Sequence, residues 1–169
     1  AKFFPKDKYF GYLLAKEIES IDKGMKSGEK PVTAILGGSK VSSKITIIEN
    51  ILDKIDHLII GGGMAFTFIK AQGGQIGNSI CEDDKLDLAL EILEKAKNQN
   101  VKVYIPVDVI AAKEFNNDAE RKEVAANEIP DGWMGLDVGS ESQKINNDVI
   151  MSSKTILWNG PLGVFEMSN

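Results

Sequence analysis

The hydrophobic residues of this chain fall into short apolar runs that alternate with segments of helical periodicity. The runs of strand length occupy 32–36, 57–60, 101–110 and 155–158. Segments whose spacing or end signals predict helices occupy 7–26, 41–55, 64–71, 83–98 and 140–152. Pro106 predicts a bulge or a strand end within the third run.

The order of these elements predicts an α/β fold. After the first helix, strands and helices alternate strictly, which favours a mainly parallel sheet covered by helices on both faces, a Rossmann-like three-layer α/β/α sandwich. The polar segment 112–130 is predicted to be loop with at most a short strand. Ser140 and Gln143 have the spacing of a capping box and predict that the last helix begins at Ser140.

Composition narrows the class of protein. The 169 residues carry a formal net charge of −5 and show no stripe of lysine or arginine, which argues against nucleic acid as a partner. No apolar run is long enough to cross a membrane. Cys81 is the only cysteine, so no internal disulfide can form, and the cytoplasm is the expected compartment. His57 is the only histidine and is interpreted as a strand-entry residue.

Three of the predicted strands end in glycine. Val32–Leu36 is followed by Gly37 and Gly38, 58–60 by Gly61, Gly62 and Gly63, and 155–158 by Asn159, Gly160 and Pro161. Glycine lets a ligand approach the backbone closely, and a following helix presents amides and a partial positive charge. The carboxyl ends of parallel strands share one edge, so this pattern predicts a phosphate-bearing ligand there.

Two lysines follow the first glycine turn. Lys40 and Lys44 stand four positions apart at the start of a predicted helix, so they are expected on one helix face. Two solvated surface lysines are the alternative, but their place after a strand and two glycines favours phosphate binding. The turn is not a P-loop, since no Gly-Lys pair precedes serine or threonine, and Phe66 stands where a dinucleotide-binding fingerprint needs glycine.

Polar groups near the other turns have two interpretations each. Asn159 could donate to a phosphate and Glu166 could accept from ribose hydroxyls, but Glu166 equally fits the first turn of a helix. The three glycines 61–63 could form a flat surface for a base or could serve tight packing. Asp108 and Asp137 could hold a metal, but loop or cap roles are favoured for both.

Taken together, five segments resemble phosphoglycerate kinase, specifically its C-terminal nucleotide-binding half. The resemblance rests on motifs that occur in the order and with the spacing of that family: Gly37-Gly38-Ser39-Lys40-Val41-Ser42-Ser43-Lys44, Gly61-Gly62-Gly63-Met64-Ala65-Phe66, Pro106-Val107-Asp108, Gly132-Trp133-Met134-Gly135-Leu136-Asp137 and Trp158-Asn159-Gly160-Pro161-Leu162-Gly163-Val164-Phe165-Glu166.

The resemblance implies phosphoryl transfer between ATP and 3-phosphoglycerate with Mg²⁺. It implies that Lys40 contacts the transferring phosphoryl group, that Lys44 and Asn159 hold the nucleotide phosphates, and that Glu166 binds the ribose. The residues that it implies for the adenine and sugar pocket are Gly38, Gly62, Gly63, Leu136, Pro161 and Val164. It implies no metal ligand in this chain, because the family's metal-serving aspartate belongs to a later segment.

The resemblance also implies that the chain is part of a longer, monomeric, cytoplasmic protein. Residues 1–26 would be an interdomain-type helix, and 27–169 an incomplete nucleotide-binding domain. The 3-phosphoglycerate site would lie in an N-terminal domain that this sequence does not include. A non-catalytic nucleotide-binding module and a structural domain of the same fold are the alternatives.

We therefore expect the isolated chain to have no kinase activity, because it would lack the second substrate's site. A coupled assay for ATP consumption in the presence of 3-phosphoglycerate measures this directly. Turnover by the purified chain alone would contradict the expectation.

Overall fold

The computed structural model describes residues 28–167. The helix predicted at 7–26, and with it the predicted boundary at residue 26, lies outside this part of the chain. The strands within it are β1 (Val32–Leu36), β2 (His57–Ile60), β3 (Gln75–Ile76), β4 (Lys102–Tyr104), β5 (Asp108–Ala112), β6 (Arg121–Ala125), β7 (Glu128–Ile129), β8 (Met134–Val138) and β9 (Thr155–Asn159). The α-helices are α1 (Ile45–Ile51), α2 (Met64–Ala71), α3 (Leu86–Asn98) and α4 (Ser140–Ser152).

A four-stranded parallel sheet forms the centre of the molecule. Its strand order is β4-β2-β1-β9, so β1 lies between the two neighbours whose turns also carry glycine. Ala34 of β1 is in register with Leu58 on one side and Leu157 on the other. The three glycine-ended strands therefore finish side by side at one edge.

Helices cover both faces of this sheet, as the sequence predicted. Because side chains alternate along a strand, Ala34 and Leu36 face a core built with α1, α2 and α3, whereas Ile35 faces Val149 of α4. Thr33 also points toward α4, where its hydroxyl lies 2.6 Å from that of Ser153. The α/β class and the three-layer arrangement are thus confirmed.

The second half of the chain holds strands that the sequence analysis missed. The apolar run 101–110 is broken at Pro106 into β4, in the parallel sheet, and β5, in a separate antiparallel sheet of order β6-β5-β8. Segment 112–130, predicted to be loop with at most a short strand, contains two strands, β6 and β7. Most of β6 is exposed, so its polar sequence lacked the apolar alternation on which strand prediction relies.

The predicted capping box at the start of α4 is wrong, although the helix itself is confirmed. Ser140 is already helical, and its hydroxyl donates to Glu123 on β6 at 2.6 Å. The amides of Glu141 and Ser142 instead donate to the carboxylate of Asp108, both at 2.8 Å. Asp108 at the start of β5 therefore caps α4 from the neighbouring sheet, which agrees with the cap role favoured for it.

This cap predicts a pH-dependent stability. Burial raises the pKa of Asp108, but hydrogen bonds from Ser142 and Glu141 outweigh it and hold the pKa below its usual 3.8. Because this pKa is lower in the folded state than in the unfolded state, the ionised carboxylate stabilises the fold above about pH 4. This stabilisation is lost as the pH falls further and Asp108 is protonated. Asp108→Asn should lower the free energy of unfolding at pH 7 by about 1 kcal/mol, the usual size of a helix-cap contribution.

Urea unfolding of the chain at pH 7 and at pH 3 measures this effect. The difference between wild type and Asp108→Asn should shrink at the lower pH. Asp148→Asn removes an exposed carboxylate from the same helix and serves as the control. Equal losses at both pH values would show that the carboxylate charge is not what stabilises the cap.

Candidate functional site

The three glycine turns are hydrogen-bonded to one another. The amide of Gly37 donates to the carbonyl of Asn159 at 3.0 Å, and that of Gly38 donates to the carbonyl of Pro161 at 3.1 Å. The amide of Gly62 donates to the carbonyl of Leu162 at 2.7 Å. The turns after β1, β2 and β9 are therefore one connected backbone surface at the carboxyl edge of the parallel sheet.

Glycine is required where these turns meet. Gly62 has a φ of +66°, and a Cβ on it would stand 2.7 Å from the amide nitrogen of Gly38. A Cβ on Gly37 would overlap the carbonyl of Pro161. Part of the glycine pattern thus serves close packing between turns, which is the alternative that the sequence analysis left open for 61–63. The same packing keeps side chains off the surface above.

A cavity of about 420 Å³ opens on this surface. Its lining combines residues from all three turns with residues from β8 and from two further loops. Among them are seven of the residues that the resemblance implied for the nucleotide: Gly38, Gly62, Gly63, Leu136, Pro161, Val164 and Glu166. Leu136 and Val164 are joined by a 2.9 Å bond from the amide of Val164 to the carbonyl of Leu136, so β8 and the last turn form one wall.

Seven further residues line the cavity and were not predicted: Ser39, Ile80, Phe115, Met134, Gly135, Gly163 and Phe165. Ile80 and Phe115 remain 55% and 63% exposed although both are large and apolar. A single large apolar residue within a polar loop is the sequence signal that could have identified Ile80 and Phe115. Ile80 lies over Gly63, where any Cβ would overlap its side chain.

The two lysines lie beside this cavity. Lys44 donates a hydrogen bond from Nζ to Oδ1 of Asn159, and its Cε would be 3.6 Å from a Cβ placed on Gly38. Lys40 is exposed; its carbonyl accepts from the hydroxyl of Ser43 at 2.7 Å, and its ammonium group makes no hydrogen bond or ion pair with any residue in 28–167. The lining of the cavity thus has an apolar end at Leu136 and Val164, and we call the end at Gly38, which Lys44 adjoins, its cationic end.

The lysines do not share a regular helix face, contrary to the expectation. Val41–Ser43 form a single 3₁₀ turn, and α1 begins only at Ile45. Lys40 has extended backbone angles before that turn, and Lys44 lies between it and α1. Residues 40–44 therefore do not form an α-helical turn, and the spacing of four positions does not place the two lysine side chains on one helix face.

The start of the 3₁₀ turn after Lys40 already binds a carboxylate of the protein, that of Glu82. The amide of Ser42 donates to Glu82 Oε2 at 3.0 Å, and the hydroxyl of Ser42 donates to Glu82 Oε1 at 2.5 Å. The expectation that this helix start offers free amides to a phosphate therefore fails at Ser42. Lysine side chains, rather than that amide, are the donors available at this end.

Asp137 does not form a metal site with Asp108. Its Oδ1 accepts from the amide of Val138 at 2.7 Å, whereas Asp108 is engaged at the start of α4. Within 28–167, no three histidine, cysteine, aspartate or glutamate side chains gather where they could hold a metal ion. None of the helices in that range is long and apolar enough to cross a membrane.

A larger cavity, of about 720 Å³, lies at a distance from these turns. It is lined by the C-terminal end of α2, by the segment between β4 and β5, and by β7: Ile69, Gln72, Gly73, Gly74, Val103, Ile105, Pro106, Val107, Asn127 and Glu128. Its lining contains none of the predicted site residues. Neither cavity has a lysine or arginine among its lining residues, but Lys44 lies next to Gly38 of the smaller cavity, which therefore suits a polyanion better.

Comparisons with known proteins are consistent with this geometry. Residues 1–169 match the family model described as phosphoglycerate kinase. Among curated proteins, the phosphoglycerate kinase of Porphyromonas gingivalis is 52% identical over 170 residues, which are 100% of this chain and 41% of the relative. The chain thus spans about two fifths of the length of that relative.

Two solved structures extend the comparison. The phosphoglycerate kinase of Coxiella burnetii superposes with a TM-score of 0.86 at 44% identity, covering 94% of this chain and 41% of that one. That of Pyrococcus horikoshii OT3 gives a TM-score of 0.73 at 26% identity, covering 94% and 40%. With a family model matched from the first residue to the last, the chain belongs to the phosphoglycerate kinase family.

Proposed function

We propose that this chain is the ATP- and ADP-binding part of a kinase that transfers a phosphoryl group between ATP and 3-phosphoglycerate. One observation carries the proposal: an apolar cavity on bare backbone lies next to two lysines at the carboxyl edge of a parallel sheet. Ligands of open α/β folds bind at this edge. A nucleotide has the matching chemistry, with a flat base at one end and charged phosphates at the other.

The phosphates would lie at the cationic end. Lys44 would hold the nucleotide phosphates, and Lys40, whose ammonium group has no partner within 28–167, would reach the phosphoryl group in transfer. Asn159 accepts from Lys44 through Oδ1, which leaves its amide nitrogen to donate to a phosphate oxygen. Phosphoryl transfer needs positioning and neutralisation of charge, which these groups can supply.

The base and the sugar would lie at the apolar end. Leu136, Pro161 and Val164 supply surface, and the glycines of the first two turns let the ligand approach the backbone. Glu166 is exposed at the rim, where its carboxylate can accept from ribose hydroxyls. The free thiol of Cys81 is consistent with a cytoplasmic enzyme.

The residues in 28–167 do not offer a site for Mg²⁺ by themselves. Oxygen ligands for Mg²⁺ in kinases come in part from the nucleotide phosphates, so the ion would enter with the nucleotide. The 3-phosphoglycerate site would lie in the part of the relatives that this chain does not match.

Lys44→Ala should weaken ADP binding by about tenfold to a hundredfold, because one charge-assisted hydrogen bond contributes about 1.5–3 kcal/mol. Calorimetry of the chain with ADP measures the change. Lys97→Ala removes an exposed lysine from α3 and should leave the affinity unchanged. Equal affinities of wild type and Lys44→Ala would count against the phosphate end of the site.

Glu166→Gln should weaken ADP binding about threefold to tenfold, the scale of an ordinary hydrogen bond, because Glu166 is exposed and glutamine keeps one acceptor oxygen. The same variant should bind 2′,3′-dideoxy-ADP as wild type does, because that ligand lacks the hydroxyls. Competition against a fluorescent nucleotide gives both affinities. A loss of the same size for both ligands would place Glu166 elsewhere than at the ribose.

A further inference from the structure

The loop 77–82 connects the two ends of the candidate site. On one side of Ile80, the amide of Asn78 donates to the carbonyl of Trp133 at 2.7 Å, and the amide of Gly135 donates to the buried hydroxyl of Ser79 at 2.9 Å. Gly135 precedes Leu136 in the apolar wall. The start of the loop is therefore fixed to the base end of the cavity.

The end of the same loop is fixed to the lysine end. The amide of Glu82 donates to the hydroxyl of Thr67, which is fully buried in α2, at 3.1 Å. Its carboxylate then accepts from both the amide and the hydroxyl of Ser42. Burial raises the pKa of Glu82, but hydrogen bonds from Ser42 and from the amide of Val41 outweigh it and hold the pKa below its usual 4.5.

Ser42 stands midway between the two lysines, two residues from each. The turn before it contains Gly38, with a φ of +121°, and Val41, next to Ser42, is fully buried in the core, so the inner side of the 3₁₀ turn is held by packing. Lys40 and Ser42 are both exposed. Within 28–167, Glu82 is the side chain that fixes Ser42, and it forms no ion pair with either lysine.

We propose that Glu82 is a positioning residue, which holds the 3₁₀ turn at Ser42 so that Lys40 and Lys44 face the phosphate end of the cavity. This inference rests on the proposed nucleotide function. It assigns the carboxylate no contact with the ligand. Its effect should therefore appear with ligands that carry phosphates and be absent with the nucleoside alone.

The test compares adenosine and ADP as ligands of the 169-residue chain, with Ser42→Ala as the central variant. Ser42→Ala removes one donor to Glu82, changes no charge and alters an exposed site, so the fold should persist. It should weaken ADP binding about threefold to tenfold, the range of an ordinary hydrogen bond, because the amide of Ser42 still donates to Glu82 in this variant. The affinity for adenosine should stay within experimental error of wild type.

Variants of Glu82 extend the test. Glu82→Ala should match or exceed the loss of Ser42→Ala, and the double variant should lose no more than Glu82→Ala, because both remove one interaction. Glu82→Gln keeps an acceptor for Ser42 and should lose less than Glu82→Ala. Glu94→Ala removes an exposed carboxylate of α3 that has no partner within 28–167, and it controls for charge.

The outcomes separate the two proposals. Wild type that binds neither ligand would overturn the nucleotide function itself. Wild type that binds ADP, with Ser42→Ala and Glu82→Ala binding it equally well, would overturn the role of Glu82 alone. Losses of equal size for adenosine and ADP would also overturn it, because they would indicate general damage to the domain.

Discussion

The site depends on the contact between three strand-ending turns. Because β1 lies between β2 and β9 in one parallel sheet, the turns that follow them meet at a single edge. They approach so closely that Gly37 and Gly62 leave no room for a side chain, and amide-to-carbonyl bonds join them. This contact produces a surface of backbone wide enough for the cavity above it.

Two carboxylates hold the surroundings of that surface in place. Asp108 caps α4 from the antiparallel sheet, and Glu82 fixes the turn at Ser42 from the loop that follows α2. Both occupy backbone amides at helix starts that would otherwise attract an anion. The lysines therefore remain the cationic groups beside the cavity, and Lys44 is oriented by Asn159 of the third turn.

Local patterns predicted the parallel half of the fold well. The strands β1, β2 and β9 and the helices α2 and α3 stand where apolar runs and helical spacing indicated, because these elements bury apolar faces. Helix α4 was predicted from its end signal alone. Strand β6 was missed because most of its residues are polar and exposed. Strand β8 was missed because its partner, β5, is separated from it in the chain by β6 and β7. The capping box failed because a residue from another sheet, Asp108, took the role.

The same distinction applies to the site. The glycines and Lys44 carry local signals, whereas Ile80 and Phe115 enter the cavity from loops whose paths only the fold determines. The pairing of Glu82 with Ser42, 40 positions apart, has no local signal at all.

A crystal structure of the chain with bound ADP would show whether the three glycine turns form a nucleotide site. We expect the base and ribose against Leu136, Pro161 and Val164, with the phosphates within hydrogen-bond distance of Lys44 and facing Lys40. ADP bound in the larger cavity between Gln72 and Val107, or both lysines turned away from its phosphates, would contradict this expectation.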